Sequence, residues 1–393
     1  MEVSEFEESF FIDKSPVLEA NFNPYYLPVQ SGLGSRVTIA DHQVISLGSN
    51  DYLGLASNEL LKEKAHEALD KYGVSMCGTA IVVGQTDLNR ELEIKSAALV
   101  KQEDALVYPS CFQANTGVFQ MLCKDDDIVL ADKGAHSSLL NGVFLSKARF
   151  RLFRHNDVKH LRKLLEQSTG HRMRFIVMDG LYSTLGDYPP LDEICALAKE
   201  FDAYTILDDA HGIGVLGRKG RGVLELFDAY EDIDMVTGSY GKALGCAGGF
   251  IAGKYRITDY FRYRNPMYIY STALAPVLSA ACLAAIDLSM NHPEWRERIW
   301  AYKDRLVNAL EKLGYRLTPS QAPLFSVLFN STAETFTAAR ILFEKGVYGT
   351  PFVHPSVPRR SPRIRLIPHA GLTGEDIDRV IEIFSETRKE LNR

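Results

Sequence analysis

Tyr204-Thr-Ile-Leu207-Asp208-Asp209-Ala-His211-Gly212-Ile-Gly214 is a short apolar run that stops on two acids, a histidine and two glycines. A run of this length, closed by turn-forming residues, has the form of a buried strand and the loop at its carboxyl end. The same unit recurs outward on both sides. Upstream, Ala105-Leu-Val-Tyr108 ends in Pro-Ser, Asp127-Ile-Val-Leu-Ala131 in Asp-Lys-Gly, and Phe175-Ile-Val-Met178 in Asp-Gly. Downstream, Met235-Val-Thr237 ends in Gly-Ser. Helix-like stretches separate the runs, among them Leu191 to Phe201, apolar at 191, 194, 195, 197 and 198. This alternation over residues 100–250 predicts an α/β fold, with a mainly parallel sheet covered on both faces. Ligands of such sheets sit at the carboxyl ends of the strands. That is where this chain collects its Asp, Ser, Gly and His.

Beyond residue 290 the texture changes. A helix is expected from Trp295 to Leu313, stopped by Gly314. A strand (Leu324 to Phe329), a helix (Thr335 to Glu344), a strand (Arg363 to Ile367) and a closing helix (Asp376 to Leu391) follow. The expected organisation is an N-terminal segment (1–50), a large ligand-binding domain (51–289) and a smaller C-terminal α+β domain (290–393). There is no internal repeat, low-complexity segment or Pro/Gly/Ser linker.

Composition sets the outer limits. The 393 residues are 46% hydrophobic and 24% charged, which excludes a disordered chain, a collagen and a coiled coil. The net charge of −6 gives no general attraction to nucleic acid or anionic lipid, so neither is expected as a partner. The six cysteines lie far apart without a CxxC or a Cys/His cluster. They read as free thiols in a reducing compartment, and no metal site is expected. The N-terminus is acidic where a secretory signal would be basic and then apolar. The most apolar stretch, Ala273 to Leu288, is interrupted by Pro276 and Ser279 and is too short to span a bilayer. A soluble, cytoplasmic protein without a membrane partner is expected.

Four short motifs carry chemistry. In Ser239-Tyr-Gly-Lys242-Ala-Leu-Gly245-Cys-Ala-Gly248-Gly249, a lysine sits in a Gly-rich turn after a strand, where small neighbours let a flat ligand approach the backbone. A solvated loop lysine is the plainer reading of that motif alone. In Asp208-Asp209-Ala-His211, successive side chains leave the strand on opposite faces, so only one carboxylate can face a given ligand. That carboxylate can keep a heteroaromatic nitrogen protonated and so make the ring an electron sink. A metal site or a helix cap fits the same residues. Tyr108-Pro-Ser110-Cys-Phe-Gln-Ala-Asn115 reads as a helix start whose free N–H groups suit a phosphate, or as a plain cap. Ala135-His136-Ser137-Ser138 places an imidazole after a strand, where it can stack on a flat ring or be purely structural.

The order of these motifs, phosphate cap, histidine, Asp-x-x-His and Ser-x-x-Lys, resembles that of pyridoxal phosphate enzymes of the aspartate-aminotransferase fold. Ser49-Asn50-Asp51-Tyr52-Leu53-Gly54-Leu55, Asp208-Asp209-Ala-His211-Gly212 and Tyr270-Ser-Thr272-Ala-Leu-Ala-Pro276 narrow the resemblance to the α-oxoamine synthases. This group includes 8-amino-7-oxononanoate synthase, 2-amino-3-ketobutyrate ligase, 5-aminolevulinate synthase and serine palmitoyltransferase. The resemblance extends from Ser49 to Arg363-Ile-Arg365.

It implies a fold type I enzyme with pyridoxal phosphate as cofactor. In this family Lys242 would form the Schiff base, Asp208 would pair with the pyridinium nitrogen, and His211 and Ser183 would lie near the phenolate oxygen. His136 would stack on the ring and serve in acid/base steps. Ser110, Cys111, Phe112 and Ser239 would bind the phosphate. Thr272 would reach the phosphate of a neighbouring subunit, implying a homodimer with shared sites. Asn50 and Arg365 would hold the amino-acid carboxylate, a task that suits the two-pronged guanidinium. The implied reaction condenses an amino acid with an acyl-CoA, usually with decarboxylation, to an α-amino ketone, and freed Lys242 acts as base. An aminotransferase of the same fold is the alternative. A non-catalytic partner subunit is disfavoured because such subunits lose the lysine.

The chain departs from the family at Ala80, where arginine is usual, at Asn89 and Leu372, where histidine is usual, and at Cys111, where glycine is common. The apolar run Ala80-Ile-Val-Val83 predicts an acyl chain longer or more apolar than acetyl. Tyr182-Ser-Thr-Leu-Gly186 is similar to the autoinducer synthases of the family, which make long-chain amino ketones.

Overall fold

The computed structural model describes residues 12–391 together with Val3, Phe6, Ser9 and Phe10. A short helix, Ser15–Ala20, is followed by two strands, β1 (Arg36–Ile39) and β2 (His42–Ser46). The seven strands of the central sheet are β3 (Asp104–Tyr108), β4 (Ile128–Asp132), β5 (Arg149–Phe153), β6 (Arg174–Asp179), β7 (Ala203–Asp208), β8 (Met235–Ser239) and β9 (Gly249–Gly253). Their order is β3-β9-β8-β7-β6-β4-β5. β5, β4, β6, β7 and β8 run parallel, while β9 lies antiparallel between β8 and β3. Every residue of β4, β8 and β9 is buried, as a sheet covered on both faces requires. β5 closes one edge and is exposed along its first four residues.

The five strands expected from the sequence, β3, β4, β6, β7 and β8, all form and point the same way; β5, in that direction, and β9, against it, are additions. β9 is only five residues long, begins and ends in glycine, and carries three apolar residues between. In the sequence it merges with the Gly-rich turn, because so short a run gives no periodic signal. It is also the strand that carries the chain from the Lys242 turn back across the sheet.

Register decides what meets at the carboxyl ends. Asp179 on β6 pairs with Asp208 on β7, and Asp208 pairs with Thr237 on β8. Directly paired residues point to the same face of a sheet. Asp179, Asp208 and Thr237 thus form a polar row, and the helix Cys111–Leu122 lies on that side.

The C-terminal part holds a second sheet, in which Phe325–Leu328 and Thr350–Phe352 flank Arg363–Leu366 antiparallel, with Arg316–Leu317 at the edge. Helices Thr332–Glu344 and Gly374–Leu391 pack beside it. Ile45 and Leu47 belong to this second core, and β2 pairs with Val347–Tyr348. The chain before residue 50 is thus anchored on the C-terminal part. Ile367 N–H donates to the Leu47 carbonyl at 2.9 Å, and Ala370 N–H to the Tyr52 carbonyl at 2.9 Å. These bonds bring the strand bearing Arg365 against the segment bearing Asn50 and Tyr52.

Candidate active site

At the carboxyl end of the sheet lies a cavity of about 440 Å³. Ser110, Cys111, Phe112, His136, Asp208, Ser239 and Lys242 all line it, together with Asn115 and Ser138. Seven of the twelve residues singled out in the sequence thus meet in one place.

The two acids of Asp208-Asp209 separate as strand geometry requires. Asp208 faces the cavity. Its Oδ2 accepts from Asn115 Nδ2 at 2.6 Å, its Oδ1 accepts from Ala210 N at 3.0 Å, and the Cys111 thiol lies 4.0 Å away. Asp209 turns to the opposite side and is fully buried. Its Oδ2 accepts from Val223 N at 2.7 Å, and Gly180, Gly212 and Gly222 leave it the space a Cβ would fill. Burial pushes the Asp209 carboxyl well above the usual carboxylate range. Asp209 is therefore a structural anchor for the loop after β7.

Ser110 caps the helix Cys111–Leu122, its Oγ accepting from Gln113 N at 3.2 Å. A Cβ on Gly249 would stand 2.6 Å from the Cys111 nitrogen, so only glycine lets β9 pass this close to the helix start. The first-turn N–H groups of that helix have no partner within it and form an anion cradle beside Ser239. Burial, with Asp208 adding, pushes the Cys111 thiol up and keeps it protonated.

Lys242 sits in a tight turn. Gly245 N–H donates to the Lys242 carbonyl at 2.8 Å, and Cys246 N–H to the Tyr240 carbonyl at 2.9 Å. Gly245 has φ +63°, and a Cβ there would meet the Ala56 nitrogen at 2.4 Å. That contact binds the lysine turn to the Ser49–Leu55 segment.

His136 closes the loop after β4. Its N–H donates to Asp179 at 3.0 Å, and its Nδ1 lies 2.7 Å from Ser138 Oγ. Burial lowers its pKa, Asp208 opposes this and Lys242 adds to it. His211 is buried with its Nδ1 2.9 Å from the Tyr52 hydroxyl. Burial first, then Lys242, Arg365 and His136, hold it well below the usual histidine range, so it is neutral.

His211, Asn50, Ser183 and Arg365 are not part of the cavity's lining; His211 feels both Lys242 and Arg365 and so links the two groups. Arg365 donates to the Ser183 carbonyl at 3.1 Å and to Asn50 Oδ1 at 3.0 Å. Its Nε is buried without a partner among the described residues, and its guanidinium stacks 4.8 Å from the Phe352 ring. A buried cation with a free donor is a ready site for a carboxylate. Thr272 stands apart. It is exposed and bridges to Thr79 on the outer surface.

The family departures are explained locally. Asn89 is buried and fully engaged. Its Nδ2 lies 3.2 Å from both the Gly84 and Leu274 carbonyls, and its Oδ1 accepts from Ser279 at 2.6 Å. Leu372 packs in the C-terminal core. Ala80 begins a single π turn, Ala80–Gly84, on the surface.

Sequence reading assigned no role to Asn115, Ser138 or Tyr52, although all three stand in the quoted motifs. Asn115 is one helical turn after Cys111, which was the only signal available for it. Nearby, His155 bridges Asp132 and Asp187, each at 2.9 Å. Burial would lower its pKa, but the two carboxylates outweigh burial and push it up to about 10. No group of three or more His, Cys, Asp or Glu suited to a metal ion occurs among the described residues. No helix there is long and apolar enough to cross a membrane.

Comparison with known proteins adds a family. The model of the aminotransferase class I and II family matches residues 42–384. The chain is 35% identical over 368 residues to an 8-amino-7-oxononanoate synthase of Bacillus pumilus, covering 93% of each. It superimposes on a serine palmitoyltransferase of Sphingomonas wittichii with a TM-score of 0.92 and 26% identity, covering 99% of this chain and 97% of that one. A serine palmitoyltransferase solved with PLP gives a TM-score of 0.96 at 25% identity over the whole of both chains.

Proposed function

The chain belongs to the aminotransferase class I and II family and, within it, to the α-oxoamine synthases, and from that premise we propose how its cavity joins an amino acid to an acyl thioester. The protein is a pyridoxal phosphate-dependent acyltransferase. The residues fit that cofactor. An anion cradle, an acceptor-only carboxylate, an imidazole and a lysine converge on one cavity, and the buried Arg365 guanidinium keeps an N–H without a partner among the described residues.

When bound, pyridoxal phosphate supplies an electron sink for the bond broken at the amino-acid Cα. Lys242 would hold the cofactor and would be the group that moves the Cα proton. Asp208, oriented by Asn115, would keep the ring nitrogen protonated. The N-terminal turn at Ser110, Cys111 and Phe112, with Ser239, would bind the phosphate. His136, His211 and Ser183 would hold the ring, and Arg365 and Asn50 the substrate carboxylate. Of these observations, the cavity-facing Asp208 opposite Lys242 carries the reading.

The single chain leaves Ile81, Val82, Val83, Phe112 and Tyr270 exposed. Large exposed apolar groups of this kind suit coverage by a partner. We propose a homodimer in which Thr272 completes the partner's phosphate site. The same apolar turn supports an acyl chain longer than acetyl.

The test is thiol release from acetyl-, succinyl-, pimeloyl-, decanoyl- and palmitoyl-CoA with glycine, alanine or serine. Release that requires both substrates, fastest with a chain longer than acetyl, is expected. Amino-group exchange with a keto acid and no thiol release would make the protein an aminotransferase. Acetyl-CoA as the fastest donor would overturn the acyl assignment alone.

A further inference from the structure

We propose that Ser138 is a positioning residue that fixes His136 as the Nε2–H tautomer, through a hydrogen-bond chain that starts at Asp208. The chain can be polarised in only one direction. A carboxylate accepts and cannot donate. The Asn115 amide 2.6 Å from Asp208 Oδ2 must therefore present its NH₂ group to it. The Asn115 carbonyl then faces Thr237 Oγ1 at 2.6 Å and accepts from that hydroxyl. The second NH₂ hydrogen points to Ser138 Oγ at 2.8 Å. Because Ser138 accepts there, its own hydrogen goes to its other partner, His136 Nδ1 at 2.7 Å. Ser138 N–H approaches the same nitrogen at 3.3 Å.

Nδ1 therefore receives donors and carries no proton of its own. In the neutral ring the proton rests on Nε2, for which the described residues supply no partner. Burial and Lys242 favour that neutral form. The imidazole thus offers an N–H donor to whatever occupies the cavity, and no lone pair. To act as a base, His136 would have to take its proton on Nδ1 and turn Ser138 away. Proton abstraction accordingly falls to Lys242, while His136 donates to an oxygen of the bound molecule. This inference deepens the role proposed above for His136 and rests on it.

The experiment is two-bond ¹H–¹⁵N correlation on full-length protein labelled at the histidine ring nitrogens, with and without pyridoxal phosphate. His136 is identified by the signals missing from His136→Gln. The wild type is expected to show a single neutral pattern with Nε2 protonated. Ser138→Ala should lose that purity and populate the Nδ1–H form, while Ser138→Thr, which keeps the hydroxyl, should restore it. An Nδ1–H pattern in the wild type, or a Ser138→Ala spectrum unchanged from wild type, would overturn the proposal. The wild-type pattern decides even if a variant fails to fold. Thiol release with the wrong tautomer sinks this inference alone, and the expected tautomer without thiol release sinks the functional reading.

Discussion

At the floor of the cavity, Asp208, Asn115, Ser138, His136 and Thr237 hold one another by side-chain hydrogen bonds of 2.6 to 2.8 Å. The Thr79–Gly84 turn is built differently. It is held by backbone bonds, Gly84 N–H to the Thr79 carbonyl at 2.9 Å and Ala273 N–H to the Gly78 carbonyl at 3.0 Å, and by the Asn89 latch. Its Ile81, Val82 and Val83 side chains are exposed at 47%, 74% and 56%. The two regions are joined through Leu274, which accepts from Asn89 and packs on Gly248 at the cavity wall. The difference separates two tasks. Groups that fix proton positions must be over-determined, because a buried donor or acceptor left unpaired costs about 1–3 kcal/mol. A surface that selects an acyl chain needs only shape and apolar area, so its side chains can change while the backbone stays.

The largest effect should come from the floor. Asp208→Asn is expected to lower kcat by at least about 100-fold, the lower end of what a positioned proton contributes. Asp209→Asn keeps an oxygen for Val223 N and should stay within about tenfold of wild type, a difference of ~1.4 kcal/mol. Steady-state kinetics on both variants checks this, and equal losses would break the division between a facing and an anchoring acid. Next comes Arg365→Lys. Losing a charge-assisted bond of about 1.5–3 kcal/mol should raise the amino-acid KM about 10–100-fold, with the acyl-CoA KM little changed. A rise in the acyl-CoA KM alone would place Arg365 with the other substrate.

Val82→Asp addresses the turn. It should lower kcat/KM for the longest acyl-CoA about tenfold, leave acetyl-CoA nearly unaffected, and shift stability by no more than about 0.5 kcal/mol. An equal loss for every donor would mean that the turn shapes the floor. The smallest effect concerns pH. His155 is raised in the folded chain to about 10, above its ordinary value. A raised histidine stabilises fully below its unfolded pKa, and that contribution disappears as pH climbs through the folded value. The melting temperature should therefore fall as pH rises from about 6.5 to about 10, and His155→Gln should flatten this fall. A wild-type profile as flat as the variant's would remove His155 from the loop's support.

The same contrast explains what could be read before the structure. Asp208 ends a strand, and Lys242, His211 and His136 stand in the loops just after one, so a local pattern marks them. Ser138 acts on the neighbouring His136 only because Asn115, 23 positions away, donates to it, and Asn115 acts through an acid 93 positions away. No local pattern carries that information, and the roles emerge only when the helix Cys111–Leu122 lies across β7 and β8. β5 and β9 are not legible as apolar runs, because two arginines interrupt the first and glycines bound the second. Asn89 and Leu372, conspicuous as departures from the family, are a latch and a core residue.

The account stands on Lys242 as the residue that holds the cofactor. Borohydride reduction of the purified protein loaded with pyridoxal phosphate, followed by peptide mass mapping, tests it most directly. A pyridoxyl-phosphate adduct on the peptide containing Lys242, absent from Lys242→Ala together with the visible absorption, is the predicted result. An adduct on another lysine, or none in the wild type, would contradict it.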